Sequence, residues 1–354
     1  MLILSEKSLS KVSASSRFLF KKCQQAYLFR YVDGLERKER DTTKLWFGRG
    51  IHDALAGWYI RGTKRGVHPS ETWTSYVQET AGDVDFVNRL TDNDSDGLRD
   101  MEALGVALLD GYVQCYGDED HIEVIATEQQ FNLPFAGREI TGAFDLIVRD
   151  HSQDGEFMVW EHKTASRAGL EHSYHLPLDE QASLYTAMST AWLRMNDLIR
   201  PKDFVTKVNY NYIVKKKPDQ RPRNADGLVC NTPKKEHYLS IVSNLDFDIQ
   251  HPNKLSLEAL KEITDREGIV VFGEPSKVQP EPPYERVIAH RSRKEVVTNI
   301  QRLKDDIHIM DLVETGQLPA LLNPTRECNY CEFAELCKLK QQQQELDMTN
   351  YVHR

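Results

Sequence analysis

Residues 138–165 read REITGAFDLIVRD, then HSQDG, then EFMVWEHKTA. The flanking runs are rich in β-branched and aromatic residues, which favour strands, and Asp154-Gly155 is a turn signal, so the stretch predicts a hairpin. Asp145 lies eight residues before Gln153 and Glu161 eight after it, so strands paired about that turn set the two carboxylates opposite each other. Glu161 and Lys163 are two apart and share a face. Two carboxylates can hold a hard cation such as Mg²⁺ or Mn²⁺. The cation polarises a phosphoryl oxygen and lowers the pKa of bound water. The lysine can orient that water and stabilise the charge that grows in the transition state. Together these are the parts needed for phosphodiester hydrolysis. Charged residues also alternate with apolar ones on any half-exposed hairpin, so D-x15-E-x-K by itself fits both readings.

Outward from the hairpin, 122–135 (IEVIATEQQFNLPF) predicts the preceding strand and VTKVNYNYIVKKK (205–217) a later one. Helices are expected over 8–31, 45–61, most of 70–118 with a break around Asp92–Gly97, 178–198, 254–267 and 290–315. Ser13, Ser15 and Ser16 are the candidate caps of the first. The tract QQQQ at 341–344 predicts a frayed tail.

Further motifs fall in a definite order around the hairpin. GRGIHDAL places His52 on a helix, GAFD places Gly142 before Asp145, and DEQASLY places Gln181 and Tyr185 four apart on one helix face. In this combination the sequence resembles the RecB-type branch of the PD-(D/E)XK nucleases, from about Leu9 to Leu339. The resemblance implies metal ligation by His52, Asp145, Glu161 and the backbone carbonyl of His162, with Asp145, Glu161 and Lys163 catalytic. It also implies DNA contact by Gln181 and Tyr185. His52-Asp53 spells the HD dipeptide of another phosphohydrolase family, but no convincing set of further His and Asp ligands accompanies it.

Six cysteines occur, and Cys328, Cys331 and Cys337 form C-x2-C-x5-C. Three ligands need a fourth, for which Cys23 is the best candidate. One cysteine before the nuclease motifs and three after them resembles the RecB-type nucleases that carry a 4Fe-4S cluster, a group that includes AddB-like proteins. Four thiolates suit zinc as well, and spacing does not choose the metal. Cys115 is expected in the core and Cys230 in a loop.

The net charge of −9 excludes a protein that coats DNA with its whole surface and confines phosphate binding to a local patch. Lys215, Lys216 and Lys217, with Arg221, Arg223, Lys234 and Lys235, are read as a solvated hairpin tip or a phosphate-tracking loop. Tyr210 and Tyr212 could stack on bases or pack in the core. TDNDSDG (91–97) has the opening of a calcium loop, but its twelfth position is Ala103, so it is read as polar loop. Glu128 could touch the metal through water. No apolar run is long enough to span a membrane, and MLILSEKSLS is not a leader, so a cytoplasmic location is expected.

These readings predict an α/β fold with a restriction-endonuclease-like mixed-sheet core in one domain, 1–354. A helical insertion at 62–118 and a cysteine segment at 320–340 are expected within it, with an iron–sulfur clasp joining the N- and C-terminal parts. The expected activity is Mg²⁺- or Mn²⁺-dependent exonucleolytic cleavage of DNA, single-stranded or with free ends, in phage or bacterial recombination and repair. No phosphate-binding loop for a built-in motor is found, so a helicase or recombination partner would be separate. A CRISPR adaptation nuclease and a catalytically silent DNA-binding scaffold are the alternatives.

Overall fold

The computed structural model describes residues 11–38, 43–83, 86–87, 95–165, 176–219, 221–245 and 251–353. Leu9 and the Asp92 and Asp94 part of the acidic loop lie outside them. The chain forms two compact units, Met1–Lys216 with Tyr284–Arg354, and Lys217–Pro283.

The larger unit is built on a mixed sheet of β1 (Lys11–Ser13), β3 (Ile122–Phe135), β4 (Arg138–Asp150), β5 (Glu156–Ala165), β6 (Lys207–Val214) and β7 (Tyr284–His290). β3 runs antiparallel to β4 along its whole length. The other edge of β4 is shared. β1 pairs in parallel with Glu139–Thr141, and β5 pairs antiparallel with Leu146–Asp150. β6 is parallel to β5 and antiparallel to β7. Asp145 therefore sits at the fork where β1 has ended and β5 begins.

Helices cover both faces. One core is formed by α1 (Ala14–Lys22), α6 (Glu180–Met195) and α9 (Arg293–Glu314), whose Phe20, Leu184 and Ile307 pack on Phe144, Val159 and Tyr210. The second core is formed by α3 (Thr43–Trp58), α4 (Pro69–Ala81) and α5 (Ser95–Tyr116), which pack Ile51, Trp73 and Leu108 toward Leu146, Val148 and Trp160. Trp73 fits because Gly50 and Gly105 leave room for its ring: a Cβ at either would lie within 2.6 Å of it. Ile140 and Phe144 belong to the first core, whereas Leu146 and Val148 belong to the second. The even-numbered side chains of β4 thus change sides across Asp145.

The first helix is capped by a reciprocal Ser13–Ser16 pair but does not run to 31. It breaks at Cys23, whose backbone is extended, and resumes as α2 (Gln24–Tyr27) and a π-turn over Leu28–Val32. The C-terminal tail is not frayed. β8 (Tyr351–His353) pairs antiparallel with β2 (Leu35–Arg37). Tyr351 stacks on Phe333 and donates to the carbonyl of Glu332 at 2.6 Å. Phe29, Leu35, Phe333, Leu336 and Tyr351 form a third small core, against which Cys23, Cys331 and Cys337 pack.

In the smaller unit, α7 (Lys235–Val242) and α8 (Leu257–Arg266) pack together and bury Val229, Cys230, Val242 and Leu260. Cys230 is thus buried and Cys115 exposed, the reverse of the expectation. Cys115 lies on the outer side of α5, a position helical periodicity over a long amphipathic run does not resolve.

Candidate active site

The β4–β5 register runs Leu146↔Trp160 through Asp150↔Glu156 about the 151–155 turn, so Asp145 and Glu161 are the next opposed pair. Both carboxylates are buried, at 8% and 5% exposure. The His162 amide donates to Asp145 Oδ2 at 2.6 Å, and Nδ1 of His52, on α3, stands 3.6 Å from the same oxygen. Burial would raise the pKa of Asp145, but the adjacent His52 imidazole and the hydrogen bond from the His162 amide hold it below the usual carboxylate value. Burial would lower His52, yet Asp145 first, then Glu161 and Glu128, raise it.

Glu161 is set from two sides. Lys163 Nζ donates to Oε1 at 2.5 Å and Gln181 Nε2 to the same atom at 3.1 Å. Its Oε2 is buried without a hydrogen-bond partner. Burial, opposed by Lys163 and reinforced by the Asp145 charge, pushes the Glu161 pKa up to about 7. An orphaned carboxylate oxygen opposed to a second carboxylate is strongly disfavoured unless a proton or a cation completes it.

Gln181 reaches Glu161 because the start of α6 is pinned. Asp179 caps the helix through the Gln181 amide at 2.8 Å and also accepts from the Tyr210 hydroxyl. Buried Arg291 donates to the carbonyls of Leu176 and Asp179 at 2.5 and 2.9 Å and to Ser183 Oγ at 3.0 Å. No sequence signal marks Arg291, because all of these partners are distant in the chain.

The opposite face of β5 carries His162. Asn211 Nδ2 donates to its Nδ1 and to the Tyr112 hydroxyl, both at 2.8 Å, and its ring stacks on Tyr59. Complete burial drives its pKa down to about 3, so the ring is neutral and packs on the face of β5 turned away from Glu161 and Lys163.

The structure also places the other residues singled out from sequence. Tyr185 is buried, edge-on to Phe144 at 5.5 Å, and Gln181 faces Glu161. Tyr210 and Tyr212 stack on each other and are largely buried in the first core, and both also line the groove beside Lys163 and Gln181. Lys215 is half-buried with its ammonium 4.9 Å from the centre of the Phe47 ring, so it is tied to α3; Lys216 and Lys217 are exposed. Glu128 stands opposite Asp145 in the β3–β4 register, beyond a bulge at Val124/Ala126, and has a φ of 46°. One donor atom each from His52, Glu128 and Asp145 lies within 4.8 Å of the others.

A groove of about 1230 Å³ runs along the site, lined by Lys163 and Gln181 and continuing past Phe18, Lys21 and Lys22 of α1. Next to it Cys23, Cys328, Cys331 and Cys337 all line one cavity of about 680 Å³. Lys22 and Glu327, which form an ion pair, wall both spaces. The four thiols are close enough that the other three help to raise the pKa of Cys337, after burial, to about 11. No helix among the described residues is long and apolar enough to cross a membrane.

Among curated proteins none matches this sequence. The solved structure described as "Crystal structure of SSO0001" is similar over 84% of this chain and 96% of its own, at 15% identity and a TM-score of 0.29, a level that carries no argument. The family model of the PD-(D/E)XK nuclease superfamily matches residues 11–338, most of the chain and every element of the site above. Members of that superfamily are typically metal-dependent nucleases, and this α/β chain with its mixed sheet belongs to the PD-(D/E)XK nuclease superfamily.

Proposed function

We propose that the protein is a DNA exonuclease of the RecB type that acts on single strands or free ends with Mg²⁺ or Mn²⁺. The observation that carries this is the state of Glu161. Lys163 and Gln181 occupy one oxygen, and the other is buried, unpartnered and next to Asp145. His52, Asp145, Glu161 and the His162 carbonyl would hold the cation. Bound there, it would supply Lewis-acid polarisation of the scissile phosphate and a water of lowered pKa. Lys163, partly exposed to the groove, moves between Glu161 and the attacking water or the phosphate. Gln181 keeps Glu161 aimed when it does. The groove beside α1 accepts the strand, with Lys21 and Lys22 on its wall.

The four cysteines fit a 4Fe-4S cluster. Their cavity is lined also by Leu19, Ala26 and Phe333, and the Thr325 amide points at Cys328 Sγ at 3.5 Å. Among the described residues only His52, Glu128 and Asp145 bring three donors within 4.8 Å, so no three thiols come that close. A tetrahedral zinc with Zn–S of about 2.3 Å draws its sulfurs to about 3.8 Å, whereas a cluster spaces them more widely. The cluster clasps the chain ends and does no phosphodiester chemistry. Within one nuclease domain, α4 and α5 form the helical insertion, and the setting is phage or bacterial recombination and repair.

The test is incubation of anaerobically purified protein with end-labelled single- and double-stranded DNA, with and without Mn²⁺, alongside iron, sulfide and zinc analysis. Metal-dependent release of nucleotides from ends by brown, sulfide-containing protein supports the reading. Internal cuts alone would refute the exonuclease assignment. Colourless protein with one zinc would refute the cluster.

A further inference from the structure

We propose that Glu128 is a direct ligand of the divalent cation, closing a site with His52 and Asp145 to which Glu161 adds its free oxygen. This rests on the nuclease reading and deepens it, replacing a contact through water with direct ligation by Glu128.

His52, Glu128 and Asp145 each offer a donor atom, all within 4.8 Å of one another. Mg²⁺ and Mn²⁺ hold oxygen at about 2.1 Å, so ligands on opposite sides of one ion stand about 4.2 Å apart. The three donors need only slight closure to share an ion. The elements that deliver them are independent: His52 comes from α3, Asp145 from the fork in β4, and Glu128 from the facing position on β3.

A separate observation is the orphaned Oε2 of Glu161, on a side chain only 7% exposed, across the β4–β5 ladder from Asp145. It is an unpaired acceptor on the strand residue opposed to Asp145. Charge balance agrees. Asp145 and Glu161 less the Lys163 ammonium leave one negative charge, and Glu128 makes it two, matching one divalent cation.

The backbone of Glu128 is also unusual. Its φ of 46° lies in the left-handed region within a long strand, where Gly or Asn would be less strained. A glutamate whose role was only to hold that backbone conformation would be a poor choice there. Asparagine tolerates that conformation and removes the charge, which separates the backbone role from the ligand role.

The experiment is Mn²⁺ binding to metal-free protein, by calorimetry and by electron paramagnetic resonance, without DNA. Wild type, Glu128→Gln, Glu128→Asn and Glu161→Gln are compared. Glu128→Asn should bind Mn²⁺ at least tenfold more weakly and lose most of the Mn²⁺-induced rise in Tm, with its metal-free Tm equal to or above wild type. Wild-type affinity in both Glu128 variants, with Glu161→Gln impaired, would overturn this assignment and leave the nuclease reading standing. Failure of wild type to bind Mn²⁺ would overturn both.

Discussion

Arg138 opens β4 with a guanidinium that is 5% exposed between two acids of α9. It donates to Asp311 Oδ1 at 2.9 and 2.5 Å and to the two oxygens of Glu314 at 3.1 and 2.5 Å. Glu314, 1% exposed, also accepts from the Tyr27 hydroxyl at 2.5 Å, joining α2 to the sheet and α9. Arg138→Met keeps most of the volume and strands the Glu314 carboxylate with Tyr27 alone. Asp311 is half exposed and adds little. Leaving a buried charge without its partner costs roughly 3–5 kcal/mol. With ~2.1 cal/mol/K per residue over a unit of roughly 290 residues, that is a fall in Tm of roughly 5–8 °C. The double variant Arg138→Met, Glu314→Gln keeps an acceptor for Tyr27 without the charge and should recover at least half of the loss. Thermal unfolding followed by circular dichroism reads both. A single variant within 1 °C of wild type, or a double variant no better than the single, would refute the argument.

Three further outcomes are expected. Arg291→Met frees the start of α6 and lets Gln181 leave Glu161, so the single-turnover cleavage rate should fall at least ~10-fold with DNA affinity little changed. Gly142→Ala puts a Cβ 2.6 Å from the Phe131 ring, and the overpacking should destabilise by roughly 1–3 kcal/mol, read by thermal unfolding. The Glu161 pKa is raised above its unfolded value, so in metal-free protein its contribution to stability is fully present below about pH 4.5 and is lost as pH rises through about 7. A cation favours the ionised form, so the Mn²⁺-induced rise in Tm should be larger at pH 8 than at pH 5.5; equal shifts would count against Glu161 as a ligand.

The hairpin was legible because its register depends on strand composition and one turn, both local. Residues 122–135, 138–150 and 156–165 fold as the strands read from them. What escaped depends on partners far along the chain. FLFKKCQQAYLF contains neither Gly nor Pro, so nothing local announces the break at Cys23, which lies where the chain turns its thiol toward a segment three hundred residues away. Glu128 was displaced from a simple alternation by the bulge before it. Nothing local marks Arg138 and Arg291 as buried, and only the arrival of α9 and α6 explains it. Lys215 read as part of a basic tip, but the Phe47 ring lies beneath it. The return of the tail as β8 rests on pairing with β2, which no pattern in the last residues encodes.

Asp145, Glu161 and Lys163 are proposed to form a metal-dependent nuclease centre. Its most direct test is the rate of hydrolysis of end-labelled single-stranded DNA in Mn²⁺ by wild type and by Glu161→Gln, each checked for an unchanged melting profile at pH 6. Wild type should cleave only with the metal, and the variant should be slower by ~10²–10³-fold or more. Cleavage by Glu161→Gln at a rate close to wild type, or wild-type cleavage that persists in chelator, would contradict the account.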